Sequence, residues 1–177
     1  MCEATKNEPY STSYYWCRDV DGEPDTLWGL EGYAHPIGFF VGHTNTEVFK
    51  REMKLVEEQK LLRNVQGLGS PDYDIHYFDM FGGFLSRKDD RERDAKDSFV
   101  VVVHFWAHDG KRKQLLRSLT DFADRIRERE EGGGAIKVQS FAVFRESLEV
   151  DIASLYIRYV NVSYLARLFM LAYFSMN

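Results

Sequence analysis

A chain of 177 residues with 23 basic and 28 acidic side chains, a net charge of −5 and 44% apolar residues has room for one ordinary domain or two very small ones. The acidic balance speaks against a general nucleic-acid binder, which would be basic. Two cysteines, Cys2 and Cys17, exclude a disulfide-rich secreted scaffold and fit a reduced, cytoplasmic chain.

The aromatic load is high, with 13 Phe, 10 Tyr and 3 Trp. Such side chains build cores and also wall pockets for flat ligands. Met1–Tyr10 has no apolar run, so no secretory leader is expected.

Ser13–Arg18 (SYYWCR) reads as a strand, Asp21–Asp25 as a turn and Thr26–Tyr33 (TLWGLEGY) as a second strand. His35–Lys60 reads as mostly helical, with Phe39, Phe40, His43, Val48 and Phe49 ahead of a charged half. Tyr73–Leu85 reads as a strand kinked at Gly82-Gly83. Residues 86–97 (SRKDDRERDAKD) hold ten charges in twelve positions, five of each sign, and predict a solvated linker. The expected domains are therefore 10–85, the linker 86–97, and 98–177.

Ser98–Ala107 (SFVVVVHFWA) is a β-branched and aromatic run closed by Asp109-Gly110, which predicts a buried strand. Lys111–Glu130 changes to helical spacing through Leu115, Leu119, Phe122 and Ile126, and Gly132–Gly134 ends it. Lys137–Arg145 and Asp151–Tyr159 alternate as strands, and Val162–Phe174 is expected to be helical. Arg167 breaks the apolar tail Val162–Asn177, so no membrane span is expected. The sequon Asn161-Val162-Ser163 has no meaning in a chain that is not secreted.

The two halves share a register. SYYWCR at Ser13 parallels SFAVFR at Ser140, at an offset of 127, and LEGY at Leu30 parallels YIRY at Tyr156 after a one-residue adjustment. The orders β-β-α-β and β-α-β-β, then helix, are the last four and first parts of a β-α-β-β-α-β unit, the ferredoxin-like arrangement. The chain thus reads as a tandem pair, incomplete at both ends.

Val100–Glu131, with its Asp109-Gly110-Lys111 turn, resembles the opening of an antibiotic biosynthesis monooxygenase (ABM) domain. Leu27–Phe49 resembles that family's other signature, with Glu31, Tyr33, His43, Thr46 and Phe49 in its places. The resemblance implies an α+β fold in which ferredoxin-like units form a dimeric α+β barrel. It also implies a cofactor-independent monooxygenase acting on an aromatic, polyketide-like small molecule. Phe169 stands where the second copy would carry the helix histidine, so one site at most is complete. A non-catalytic binding or stress-associated barrel protein, or an inactive truncated remnant, is the other reading. The open edges of an incomplete tandem leave room for a homodimer.

Each candidate has a plain alternative. His43 is either a proton-transfer base or a half-buried histidine bonded to a carbonyl. Glu31 is either a desolvated proton-transfer carboxylate or the partner of Arg18 or Arg145. Trp28, Tyr33, Trp106 and Tyr156 are either stacking walls for a substrate or core. His104 and His108, four apart on a strand, stand too far apart for one metal ion, and His76 reads as isolated, so no metal site and no cofactor are expected. Phosphate-loop and nucleophile-elbow patterns are absent. Cys17 reads as an inert, buried thiol.

Overall fold

The computed structural model describes residues 5, 7–20, 22, 23, 25–87, 98–131 and 138–160. The expectations for Cys2, Pro24, most of the charged stretch, Gly132–Gly134, the sequon, Arg167, Phe169 and the helix Val162–Phe174 lie outside these residues.

The fold is α+β. The described strands form two antiparallel sheets, one of two strands and one of four, and neither closes into a barrel. The chain divides into two compact units, Met1–Ile75 and His76–Asn177.

The first unit begins with the hairpin β1 (Ser11–Arg18) and β2 (Leu27–Tyr33). The stretch His35–Lys60, expected to be mostly helical, is broken into three helical pieces. A π-helical turn spans Gly38–Gly42, a 3-10 turn spans His43–Asn45, and α1 runs over Glu47–Glu58. The break lies at Thr46, whose backbone is extended (ψ 147°) and whose hydroxyl accepts from the Phe49 N–H. A threonine used as an N-cap restarts the helix at Glu47. Phe49 is the large apolar side chain of α1 that reaches the interior.

The second unit holds β3 (Phe78–Phe84), β4 (Phe99–Trp106), α2 (Arg112–Glu131), β5 (Val138–Glu146) and β6 (Ile152–Tyr159). The sheet order is β3-β5-β6-β4. β4 and β5, joined by α2, both run antiparallel to β6, which lies between them, giving a split β-α-β unit. β3 takes the edge beside β5. This strand, which lies within the expected unit 10–85, is hydrogen-bonded to β5. Residues Tyr73–Tyr77, expected as part of the strand, precede its pairing.

Leu116, Ala123 and Ile126 of α2 pack on Phe141, Val143, Leu155, Ile157 and Tyr159, with Phe84 of β3 closing one side. Val101, Val103 and Phe105 extend this core along β4. The end of α2 is tied down by Glu130, which accepts from the Val138 N–H (2.7 Å) and pairs with Arg87 (2.6 Å), both partners of that ion pair being nearly buried.

The two hairpins carry one register. Ser13↔Gly32, Tyr14↔Glu31, Tyr15↔Leu30, Trp16↔Gly29 and Cys17↔Trp28 in the first match Ser140↔Arg158, Phe141↔Ile157, Ala142↔Tyr156, Val143↔Leu155 and Phe144↔Ser154 in the second. The ladder irregularity recurs at the matching place, Ser11/Ser13 and Val138/Ser140. A bulge re-aims side chains locally, so its recurrence is more telling than aromatic alternation alone.

Candidate functional site

The site builds up around His43. The π-turn and the short 3-10 turn swing this residue inward, leaving it 1% exposed. Four rings enclose the imidazole: Phe49 edge-on at 4.9 Å, Tyr14 at 5.9 Å, Tyr33 at 6.1 Å and Phe39 stacked at 6.2 Å.

Two carboxylates reach the imidazole from opposite sides. Nδ1 lies 2.8 Å from Oε2 of Glu8, and Nε2 lies 3.9 Å from Oε2 of Glu31. An ionised carboxylate only accepts, so the His43 Nδ1–H donates to Glu8. That bond orients the ring and leaves Nε2 as the nitrogen that faces Glu31. Nε2 is buried and has no hydrogen-bond partner. The Tyr33 hydroxyl donates to Glu31 Oε2 at 3.0 Å. Burial first, then the Glu31 charge and this bond, hold the Tyr33 proton well above the usual phenol range.

His43, Glu31 and Tyr33, proposed from sequence, are thus brought together. The carbonyl partner weighed for His43 is replaced by Glu8. The arginine partners weighed for Glu31 are replaced by Tyr33 and His43, while Arg145 pairs with Asp79 at 2.6 Å. Trp28, on the same hairpin, is 39% exposed. Trp106 and Tyr156 belong to the second unit, where Trp106 is 66% exposed and Tyr156 is buried. In the shared register Ile157 occupies the Glu31 place, so the second hairpin carries no matching carboxylate.

Glu8 escaped sequence reasoning because it sits in a polar leader with no periodicity. The signal available was only the Glu8-Pro9 pair ahead of a strand. Locally, Ser11 N–H donates to the Glu8 carbonyl and Ala34 N–H to the Tyr10 carbonyl, which lays this segment beside β2.

Cys17 is half-buried, its thiol 3.8 Å from the Trp28 carbonyl oxygen. Burial and then Asp19 push that thiol up, in keeping with an unreactive sulfur. A recess of about 290 Å³ lined by His108, Asp109, Arg112 and Asp151 opens in the second unit and contains none of the expected site residues. Among the described residues no three His, Cys, Asp or Glu side chains converge as a metal cluster. No described helix is long and apolar enough to cross a membrane.

Compared with known proteins, the chain matches no family model, no curated protein and no solved structure.

Proposed function

We propose that the chain is a tandem of two ferredoxin-like halves of the α+β barrel type, and that its first half is a proton-transfer site for a flat, acidic aromatic molecule. The observation that carries this reading is the buried, unpartnered Nε2 of His43, held between Glu8 and Glu31 inside four aromatic rings. The shared hairpin register supports the tandem, and the likeness of Leu27–Phe49 and Val100–Glu131 to ABM domains supplies the reaction class. The compartment is read as cytoplasmic from the two cysteines.

In this reading the chemistry is cofactor-independent monooxygenation. His43 Nε2 removes a proton from an activated ring CH₂, as in an anthrone. The carbanion joins dioxygen to give a peroxide, which takes a proton back from the imidazolium. Loss of the second carbon-bound hydrogen as a proton then breaks the O–O bond. The net change is CH₂ + O₂ → C=O + H₂O, so the oxidant is dioxygen and the reductant is the substrate. Aromatic walls exclude water and hold the ring flat.

Oxygen uptake with a panel of anthrones and dihydroxyarenes tests this. Turnover by the wild type that falls at least a hundredfold in His43→Ala and more than tenfold in Glu31→Gln is expected. Turnover unchanged in both variants overturns it.

A second reading has its own observation. His43 is 1% exposed, and Phe49 is the only large apolar side chain buried with it among the described residues of the first unit. A histidine so placed serves as the polar centre of a small core in a non-catalytic binding protein. Saturable binding of an anthrone with no oxygen uptake favours this second reading.

A further inference from the structure

We propose that His76 and His104 form a two-histidine site for a borderline-soft divalent cation, of the Zn(II) or Cu(II) class, on the face of the four-stranded sheet opposite α2. The two residues reach this site from opposite edges. His76 precedes β3 and His104 lies on β4, and the order is β3-β5-β6-β4. Strands lie about 4.8 Å apart, so a flat sheet would hold its edges about 14 Å apart. The two ring centroids are 5.4 Å apart, their planes inclined at 38°. Sequence spacing, which treated His76 as isolated, had no access to this pairing.

The separation of the ring centres is compatible with coordination of one ion. An imidazole nitrogen binds zinc at about 2.0–2.1 Å, which puts the ring centroid about 3.2 Å from the ion. Two such rings at a tetrahedral angle have centroids about 5.2 Å apart. The observed value falls within a few tenths of an ångström of that.

One ring nitrogen of each histidine faces a polar side chain. His104 Nδ1 is 2.7 Å from the Ser154 hydroxyl, and His76 Nδ1 is 3.9 Å from Glu149 Oε1. The Ser154 hydroxyl orients the His104 ring through Nδ1. Phe78 lies nearly parallel to both rings, at 12° to His104 and 26° to His76, and forms an apolar wall. Imidazole pairs suit zinc, copper and nickel, and hard cations that want oxygen ligands are excluded. With two protein ligands, water completes the coordination. The site belongs to the second unit and does not depend on the chemistry proposed for His43.

Trp106 supplies the readout, since its ring centroid is 6.4 Å from that of His104. Cu(II) quenches indole emission at such range. Titration of the full chain with Cu(II) is expected to quench part of the emission saturably, at one ion per chain. That component should be absent in Trp106→Phe and displaced by Zn(II). His76→Asn should weaken binding at least tenfold, and because His76 is only part-buried this variant should keep its far-UV circular dichroism. His104→Asn should weaken it comparably; if that variant unfolds, His76→Asn decides. Equal titration of wild type and folded His76→Asn, or quenching without saturation, overturns the proposal.

Discussion

The Nδ1 of His43 lies 2.8 Å from the Oε2 of Glu8, a residue 35 positions earlier, and both side chains are buried. This bond fastens the leading segment to the turn that carries His43. Glu8→Ala would leave a buried N–H without a partner, at a cost of about 1–3 kcal/mol. Glu8→Gln keeps an acceptor oxygen and should cost less. Denaturant unfolding followed by Trp16 and Trp28 emission, in a Trp106→Phe background, reports on the first unit. An unchanged midpoint in Glu8→Ala would show that the bond contributes nothing.

Tyr33 gives a second prediction. Burial, the Glu31 charge and the bond to Glu31 raise its folded proton affinity, so the folded state holds this proton longer than the unfolded chain does. A raised folded value means stability fully present below the ordinary phenol range near pH 10 and lost as pH rises beyond it. Ultraviolet titration of phenolate should therefore show a late-ionising tyrosine that disappears in Tyr33→Phe. The variant should also lose less stability between pH 9 and 11 than the wild type does. A Tyr33→Phe titration curve that keeps every late-ionising group would refute the assignment. Tyr159, likewise raised by burial and then by Glu130, should remain in both proteins.

The strands were legible because their alternation is local. Ser98–Ala107 was expected and Phe99–Trp106 is found; Asp151–Tyr159 was expected and Ile152–Tyr159 is found. The helix Arg112–Glu131 follows the spacing of Leu115, Leu119, Phe122 and Ile126 for the same reason. The pairing of β3 with β5 was not legible, because Met80↔Phe144 is a contact between distant parts of the chain and no periodicity encodes it. The break at Thr46 was missed because a capping threonine also fits a helix interior in pattern. At the candidate site, His43, Glu31 and Tyr33 stood out by residue type. Glu8 and the His76–His104 pair depend on tertiary closure alone.

Gly83 carries a third prediction. Its φ is +77°, and a Cβ there would run into the Phe141 carbonyl oxygen of the neighbouring strand. The adjoining Gly82 lies against the Thr120 side chain on α2, so the kinked segment is pinned between strand and helix. Arg127 adds a bond to the Gly83 carbonyl at 2.9 Å. Gly83→Ala therefore combines backbone strain with a backbone clash and should destabilise the second unit by about 3 kcal/mol or more. Thermal unfolding monitored at Trp106 measures it. A Tm shift below about 2 °C would mean that β3 does not need this kink.

Glu146 closes the turn between β5 and β6, and its carboxylate ties the turn down through backbone N–H donors. The side chain is buried and accepts from the backbone N–H groups of Tyr77, Leu148 and Glu149. Burial by itself raises its proton affinity, but those three donors, together with His76, outweigh it and hold the carboxyl below the usual range. A folded value below the unfolded one means that the unfolded chain binds more protons in the window between them. The stabilisation is therefore present above the ordinary glutamate range near pH 4.3 and is lost as pH falls through the folded value. Glu146→Gln keeps one acceptor but surrenders the charge that strengthens all three bonds. It should cost about 1–3 kcal/mol at pH 7, and that cost should shrink as pH falls through the folded value of the wild-type carboxyl. Arg112, which donates to the Glu146 and Glu149 carbonyls, holds the turn in both proteins, so the difference reports the carboxylate and not a collapsed loop. Urea unfolding of both proteins from pH 3 to 7 reads the effect. A gap between them that does not narrow on acidification would show that the charge of Glu146 contributes nothing to the turn.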